Sequence, residues 1–183
     1  HIAGGVILVG ERAVHTPGLL AAVADLAART GARLAWVPRR AGDRGAVDAG
    51  LLPIDGRDTG GIIAEAGRAV KGLLVGGVSA DDVHGDLIAA VKRAEFVVSL
   101  ETRHTDVTEH ADVVLPVATV AEKSGTFRNW EGRDRAFNSV LHTPGILSDA
   151  AVLSELADEM DHVLGAIDFW AHASRPAVTA SGA

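Results

Sequence analysis

The sequence predicts an α/β fold: a doubly wound, mainly parallel sheet of five strands with helices on both faces. Short apolar runs, several of which end at Gly or Pro, alternate along the chain with segments of helical periodicity. Hydrophobic residues make up 48% of the 183 residues and aromatic residues only 4%, so the core must be built from Val, Leu, Ile and Ala. This composition is typical of buried parallel strands, which are apolar on both faces.

The first two strands and the helix between them form one β-α-β unit. Apolar runs predict strands at 6–10 and 33–38. Thr16 and Pro17 are typical of a helix start, as N-cap and first helical residue, and Gly31 is placed to end that helix. Two strands joined in this way are expected to be parallel, with a right-handed crossover.

The later elements follow the same alternation, after a long Gly-, Asp- and Arg-rich loop at 39–59. Ser79 and Asp82 have the spacing of a capping box that begins a helix. The other predicted elements are a short helix at 60–70, strands at 73–75, 96–100 and 111–115, a loop or hairpin at 125–133, and a last helix at 148–160.

The valine-rich fourth and fifth strands are expected to lie in the core. The residues expected to be buried there are Val97, Val98, Val113, Val114 and Leu115. Because truncation of a buried side chain leaves a cavity, Val114→Ala is expected to lower the free energy of unfolding by about 1–3 kcal/mol.

The domain is expected to span 1–165. The sequence opens at His1 without an initiator Met, so we interpret the chain as a fragment of a longer protein. The segment 166–183 is predicted to be a partly disordered tail.

Composition excludes several classes of function. The formal net charge of −7 argues against sequence-independent binding to nucleic acid or anionic lipid, which needs clustered Lys and Arg. The absence of cysteine excludes disulfides and iron–sulfur clusters held by thiolates of this chain. No apolar run reaches the roughly 18 residues of a membrane span, so direct membrane insertion is not expected.

The polar clusters favour ordinary structural roles over chemistry. No G-x-G-x-x-G follows the first strand and no P-loop is present, and Gly76-Gly77 fits a tight turn better than a phosphate cradle. Glu122 and Lys123 fit surface or structural contacts better than an acid/base pair. We therefore expect no catalytic residue and no metal site. The nearest approach to a metal cluster is His104, Asp106, Glu109 and His110, whose spacing matches no common zinc pattern.

One longer segment, 110–133, carries an ordered, multi-part pattern. It contains Ala-Asp-Val-Val-Leu-Pro at 111–116, Glu-Lys at 122–123, then Gly-Thr, Asn and Glu-Gly-Arg up to Arg133. This pattern resembles a signature of the molybdopterin oxidoreductase superfamily. The Arg-Gly-Ala loop at 44–50 and the strand–glycine–helix–strand segment at 71–102 also resemble that superfamily. The likeness covers about residues 5–165.

Within the superfamily the chain looks most like the cofactor-free, C-terminal part of the G-subunit, the large iron–sulfur subunit of bacterial NADH–quinone oxidoreductase (complex I). This resemblance implies a structural and assembly module of the peripheral arm, without catalytic activity of its own. Its partners would be the rest of its own subunit and neighbouring complex I subunits. Its iron–sulfur clusters would lie in the parent subunit outside this chain. The implied location is cytoplasmic, peripheral to the inner membrane.

The resemblance also implies that a cofactor cleft is vestigial. Cofactor-binding members usually carry Gly-Asn-Pro after the third strand, where this chain has Gly77-Val78-Ser79, and no Cys is available as a molybdenum ligand. No cofactor is therefore expected in this fragment. The residues that would line the vestigial cleft are Gly76, Gly77, Glu101, Thr102, Glu122, Gly125, Thr126 and Asn129.

Two other functions remain open. If the cofactor cleft does hold molybdopterin, the chain would be part of a molybdenum or tungsten oxidoreductase similar to a formate dehydrogenase. It would then be the part that binds the pterin-guanine dinucleotide. Alternatively, it would be a stand-alone α/β domain that binds a small ligand and shares only the fold.

Overall fold

A computed structural model describes residues 4–83 and 85–164. The tail predicted at 166–183 lies outside the described residues. The chain divides into two compact units, which we describe separately. Among the described residues, unit 1 comprises 4–51 and 126–136, and unit 2 comprises 52–83, 85–125 and 137–164.

Unit 1 begins with the predicted β-α-β arrangement. Strand β1 (Val6–Gly10) pairs in parallel with β2 (Arg33–Val37), and helix α1 (Leu19–Thr30) connects them. The helix begins two residues later than Pro17, because its N-cap Gly18 has a φ of 77°, outside the helical region. Gly31 ends the helix at a φ of 66°, a left-handed conformation that favours glycine, as predicted.

The segment predicted as an irregular loop at 39–59 is partly helical. Helix α2 (Asp43–Asp48) lies within it, and α3 (Thr59–Glu65) begins at its end. Asp43 accepts a hydrogen bond from the backbone N–H of Arg40, which holds the chain at the helix start. A helix of six residues is too short to give a clear hydrophobic period, so the sequence pattern did not reveal it.

Unit 2 contains a parallel sheet of three strands. The strands are β3 (Gly72–Gly76), β4 (Phe96–Glu101) and β5 (Val113–Pro116), in the order β3-β4-β5. Helix α4 (Leu87–Arg93) connects β3 to β4. The predicted capping box of Ser79 is present, but it begins a single 3₁₀ turn, and Asp86 caps α4 itself.

The C-terminal part of the pattern is a hairpin and a helix. Strands β6 (Gly125–Arg128) and β7 (Asp134–Phe137) pair with each other, so of the two predicted alternatives, loop or hairpin, the structure has the hairpin. Helix α5 (Asp149–Glu159) follows, and the Ser148 side chain accepts a hydrogen bond from the N–H of Ala151, as expected of an N-cap.

The predicted single sheet of five strands is not what the described residues form. They form sheets of two, three and two strands, so the five-stranded sheet is not confirmed. Local sequence patterns locate strands, but the neighbour of each strand depends on long-range pairing that no local pattern encodes. The parallel direction within each of the first two sheets was predicted correctly.

Helices pack against both faces of the three-stranded sheet, as predicted, although the α5 face is only partly covered. One face packs against α3 and α4, where the buried core consists of Ile63, Ala66, Val75, Leu87, Ala90, Val91, Val97 and Val107. The other face packs against α5, where the buried residues are Leu100, Val117 and Val152.

The core assignment on β5 requires correction. Val97 is 1% exposed, as predicted, and Val98 and Leu115 pack beside the second cluster, but Val113 and Val114 are 37% and 41% exposed. The reason is position: β5 is the last strand in the order of its sheet, so its side chains have fewer neighbours than those of the central strand β4.

The stability prediction therefore moves from Val114 to Val97. We expect Val97→Ala to lower the free energy of unfolding by about 2 kcal/mol, because its cavity lies between the sheet and α4. Val114→Ala is the matched control and should lower it by less than about 1 kcal/mol. Urea titration of both variants measures the difference. Equal losses would contradict the central position of β4.

Candidate functional site

The carboxyl edge of the three-stranded sheet brings together half of the predicted cleft residues. Gly76 is the register partner of Leu100, and Glu101 is the partner of Pro116. Gly77 donates a hydrogen bond from its N–H to the Leu100 carbonyl at 3.1 Å. Gly76, Gly77, Glu101 and the exposed Thr102 therefore lie along one edge, where parallel sheets bind ligands.

The Gly76-Gly77 pair forms the turn that the sequence favoured. Gly77 has a φ of 63°, in the left-handed region that favours glycine. No heavy atom lies within 4 Å of the position that a Gly77 side chain would occupy. The conformation of the turn, rather than a close approach by neighbouring atoms, therefore explains the glycine at this position.

Glu101 is the one buried carboxylate on this edge among the described residues. Its exposed fraction is 7%, and within the described part of the chain its side chain makes no hydrogen bond or ion pair. Ser99, two residues earlier on the same face of β4, is 0% exposed, and its hydroxyl has no hydrogen-bond partner within 4–83 and 85–164. The sequence reasoning did not single out Ser99; its only signal was a polar residue within an otherwise apolar strand.

Glu122 is engaged in holding a loop of unit 2. Its carboxylate accepts hydrogen bonds from the N–H and the hydroxyl of Thr119, both at 2.9 Å, and from the hydroxyl of Thr143. The Thr143 hydrogen bond, and then those of Thr119, lower the pKa of Glu122. Lys123 pairs with Asp149, at the start of α5, rather than with Glu122. Both side chains thus make structural contacts.

Gly125 is required by its aromatic neighbour. A side-chain carbon at Gly125 would lie 2.8 Å from Cζ of Phe137, closer than such contacts allow. Within the described hairpin, the Phe137 ring therefore occupies the space beside this glycine.

Asn129 organises the tip of the β6-β7 hairpin in unit 1. Its side-chain oxygen accepts hydrogen bonds from the N–H groups of Glu131 and Arg133, at 3.1 and 2.9 Å. Its amide nitrogen donates to the Glu131 carboxylate at 3.3 Å. An Asn that bonds the backbone ahead of it in this way stabilises a tight turn. Thr126, also in unit 1, is exposed on β6.

A charged network in unit 1 was not predicted. Arg128 donates two hydrogen bonds to Asp134, at 2.8 and 3.2 Å, and a third to Asp48 at 3.1 Å. Arg44 donates from Nε to both oxygens of Asp48, at 3.1 and 3.0 Å. The network connects α2 to the hairpin. Arg44 and Asp48 are four residues apart, which is a helical-pair signal, but nothing in the sequence indicated that Arg128 contacts Asp48 across 80 residues.

The network shifts the pKa values of its members. Burial alone would raise the pKa of Asp48, but the hydrogen bonds from Arg44 and Arg128 outweigh it, and the pKa lies below its ordinary value. The hydrogen bonds to Asp134 and then to Asp48 raise the pKa of Arg128. The hydrogen bonds from Arg128 lower the pKa of Asp134. Asp48, Asp134 and Arg128 are therefore charged at neutral pH.

The lowered pKa of Asp48 predicts a pH-dependent stability. The charged form is favoured in the folded state, so its contribution is present above the ordinary pKa of about 3.9 and is lost as the pH falls through the folded value. We expect the free energy of unfolding to decrease below about pH 4 and Asp48→Asn to reduce that decrease. Urea titrations at a series of pH values from neutral to acidic measure it. An identical pH dependence in both proteins would contradict the assignment.

The polar residues of the loop after β4 form no metal site in the structure. Among the described residues, no group of three or more His, Asp or Glu side chains is arranged to hold a metal ion. Asp106 accepts a hydrogen bond from the N–H of Val107, and Glu109 and His110 are exposed in a 3₁₀ turn. Within 4–83 and 85–164, no helix is long and apolar enough to span a bilayer.

Comparison with known proteins decides the family. The model of the molybdopterin oxidoreductase family matches residues 15–159. The chain belongs to the molybdopterin oxidoreductase family. The match includes all three segments whose patterns pointed to this family, at 44–50, 71–102 and 110–133, and it also includes α5.

Individual relatives of the molybdopterin oxidoreductase family divide into two groups. The NADH-quinone oxidoreductase G-subunit of Mycobacterium bovis is 42% identical over 98% of this chain and 28% of that protein. The corresponding G-subunit of Streptomyces coelicolor is 44% identical over 90% of this chain and 24% of that protein. The F420-dependent formate dehydrogenase 1 subunit alpha of Methanococcus maripaludis is 36% identical over 54% of this chain and 15% of that protein. The chain spans only about a quarter of the length of these G-subunit relatives.

Proposed function

We propose that this chain acts as a structural and assembly module of an NADH–quinone oxidoreductase, within its G-subunit. The supporting observation is the extent of similarity: identity of 42–44% to G-subunit proteins extends over 90–98% of the chain. Similarity to the formate dehydrogenase subunit stops at 54% of the chain. Electron transfer would use iron–sulfur clusters in the parent subunit outside this chain, since the chain itself has no cysteine.

The contacts of three predicted cleft residues support a cleft that no longer holds a cofactor. The carboxylate of Glu122 and the side-chain amide of Asn129 make hydrogen bonds within the chain, and the ring of Phe137 fills the space beside Gly125. Contacts made within the chain at all three positions argue against a pterin site there. We therefore derive no reaction step through molybdopterin.

The exposed apolar strands support a role in packing against other protein. In unit 1, Val6, Leu8 and Leu34 are 59%, 61% and 50% exposed. In unit 2, Leu74 and Phe96 on one face of the sheet are 53% and 51% exposed. Parallel sheets are normally covered on both faces. The proposed covering partners are the rest of its own subunit and neighbouring complex I subunits, on the cytoplasmic side and peripheral to the inner membrane.

Assembly of the complex in the source organism tests the proposal. A G-subunit with the residues matching this chain deleted should fail to appear in the detergent-solubilised complex, and NADH-dependent quinone reduction by membranes should be lost. A matched control carries Gly77→Ala alone. A fully assembled, active complex without this segment would contradict an assembly role.

A second candidate is the nucleotide-binding part of a molybdenum or tungsten oxidoreductase. The observation that favours it is the buried residue Glu101 at the ligand-binding edge of the sheet, whose carboxylate has no partner among the described residues. A carboxylate is a suitable acceptor for the N–H groups of a guanine base. Titration with GDP would reveal it, as tight binding that is abolished by Glu101→Gln and retained in Glu109→Gln.

A further inference from the structure

An apolar groove lies between β5 and α5 in unit 2, and none of the predicted cleft residues lines it. Its volume is about 330 Å³, enough for a few side chains. Its lining includes the apolar residues Leu115, Pro116, Leu147 and Leu156. It also includes the exposed Glu155 and Glu159, which we call its acidic rim. Leu147 is 44% exposed, so the apolar lining is accessible.

The rim and its surroundings are strongly acidic. Residues 137–164, which contain α5, carry five Asp or Glu side chains and no Lys or Arg. One of these, Asp149, is paired with Lys123, but Glu155 and Glu159 form no ion pair among the described residues. Across 52–125 and 137–164, unit 2 has 17 acidic and seven basic residues. The field around the groove is therefore negative.

The C-terminal end of α5 adds to the negative charge around the groove. Asp158 and Glu159 occupy the last turn of the helix, which has no basic residue. The carbonyl groups at a helix C-terminus carry a partial negative charge, so carboxylates there are destabilising and a cation is favourable. A partner that brings positive charge to this end would relieve the repulsion.

We propose that the groove binds a cationic amphipathic segment of a partner protein. Apolar side chains of that segment insert between β5 and α5, and its Lys or Arg side chains lie against Glu155 and Glu159. This is the helix-in-groove mode of recognition, in which apolar anchors fill a groove and flanking charges fix the orientation. The inference deepens the proposed packing role, and it depends on that role only for which protein supplies the segment.

The charge of the groove disfavours other occupants. A phosphate, a nucleic acid or an anionic lipid surface would be repelled by the carboxylates at the rim. A second copy of the chain would bring the same acidic rim against itself, because a symmetric contact uses the same patch on both copies. A basic segment is the occupant that both the apolar lining and the acidic rim complement.

Binding of two synthetic peptides to the 183-residue chain tests the inference. One is a helical peptide with Leu on one face and Lys beside it, and the other has Glu in place of each Lys. Fluorescence anisotropy should show binding of the basic peptide only. The double variant Glu155→Gln/Glu159→Gln should weaken it by about fivefold, since exposed charge pairs contribute modestly. Leu147→Gln should weaken it as well, through loss of apolar contact.

A matched variant separates the groove from general attraction to an acidic protein. Asp55→Asn/Glu109→Gln removes the same charge from exposed positions of unit 2 that do not line the groove, and should change the affinity by less than about twofold. Equal weakening by the two pairs, or equal binding of the acidic peptide, would overturn the inference. So would self-association of the chain that Leu147→Gln abolishes, because the occupant would then be a second copy.

The outcomes separate this inference from the proposed function. If the basic peptide binds specifically at the groove but the complex assembles without the segment, the assembly role is refuted and the groove remains a binding site. If deletion of the segment prevents assembly but peptide binding is unchanged by replacing Glu155 and Glu159, the groove is refuted as a binding site and the assembly role remains.

Discussion

Replacing Gly67 with Ala is expected to lower the free energy of unfolding by about 3 kcal/mol or more, the largest effect of any single substitution proposed for this chain. Gly67 has a φ of 78°, which strains any residue with a side chain. In addition, the new carbon would lie 2.3 Å from the carbonyl oxygen of Arg93, at the end of α4. That atom belongs to the backbone, so no side-chain rotation relieves the overlap.

The same region explains why the overlap propagates into the core. The Arg93 side chain donates hydrogen bonds to the carbonyls of Ala66 and Ile63, at 3.2 and 2.9 Å. Ala66 is fully buried, and Ile63 is 8% exposed. Moving the end of α4 away from Gly67 would therefore break contacts between α3 and α4. The loss should appear as a lower midpoint of urea unfolding.

Gly77→Ala is the matched control for this prediction. Gly77 has a comparable φ of 63°, but no heavy atom lies within 4 Å of the added carbon. Only the backbone strain remains, so the expected loss is about 1 kcal/mol. If the two variants lose equal stability, the close approach of Arg93 is not what requires Gly67.

Replacing Arg128 with Ala is expected to lower the free energy of unfolding by about 2 kcal/mol. Its side chain is 18% exposed and donates to both Asp48 and Asp134. Without it the two carboxylates lose the cation that they share, and removal of one partner from a partly buried ion pair is more destabilising than removal of an exposed pair. The loss should be smaller at acidic pH, where the carboxylates become protonated.

Arg135→Ala, also on β7, is the control for charge alone. Arg135 is exposed, and its guanidinium donates a hydrogen bond to the backbone carbonyl of Asp134, its only partner in the described part of the chain. Its replacement should change stability by less than about 0.5 kcal/mol. Arg128→Lys should recover only part of the loss, because an ammonium group cannot bond both carboxylates with the planar geometry of a guanidinium. Full recovery by Lys would contradict the importance of the bidentate bond.

The strands and main helices were predictable because they leave local signals. The apolar runs before Gly10 and Gly76, the cap at Ser148 and the left-handed Gly31 all act within a few residues. Strand neighbours were not predictable, since pairing depends on contacts between distant residues. For the same reason Val114 was expected in the core: an apolar strand pattern does not distinguish an edge from a centre.

The candidate site divides in the same way. The placement of Gly76 and Glu101 on one edge followed from the direction of parallel strands. The roles of Gly125 and Asn129 could not be predicted in this way, since their partners Phe137 and Arg133 are identified only in three dimensions. The link from Arg128 to Asp48 joins residues 80 apart and left no local pattern.

The central claim is that the chain keeps the molybdopterin oxidoreductase fold while its own side chains occupy the contacts that a cofactor would need. The most direct test is elemental and pterin analysis of the complex isolated from its source, with formate dehydrogenase as a positive control. We expect neither molybdenum nor tungsten and no pterin derivative. One molybdenum or tungsten atom and one pterin dinucleotide per complex would contradict the account.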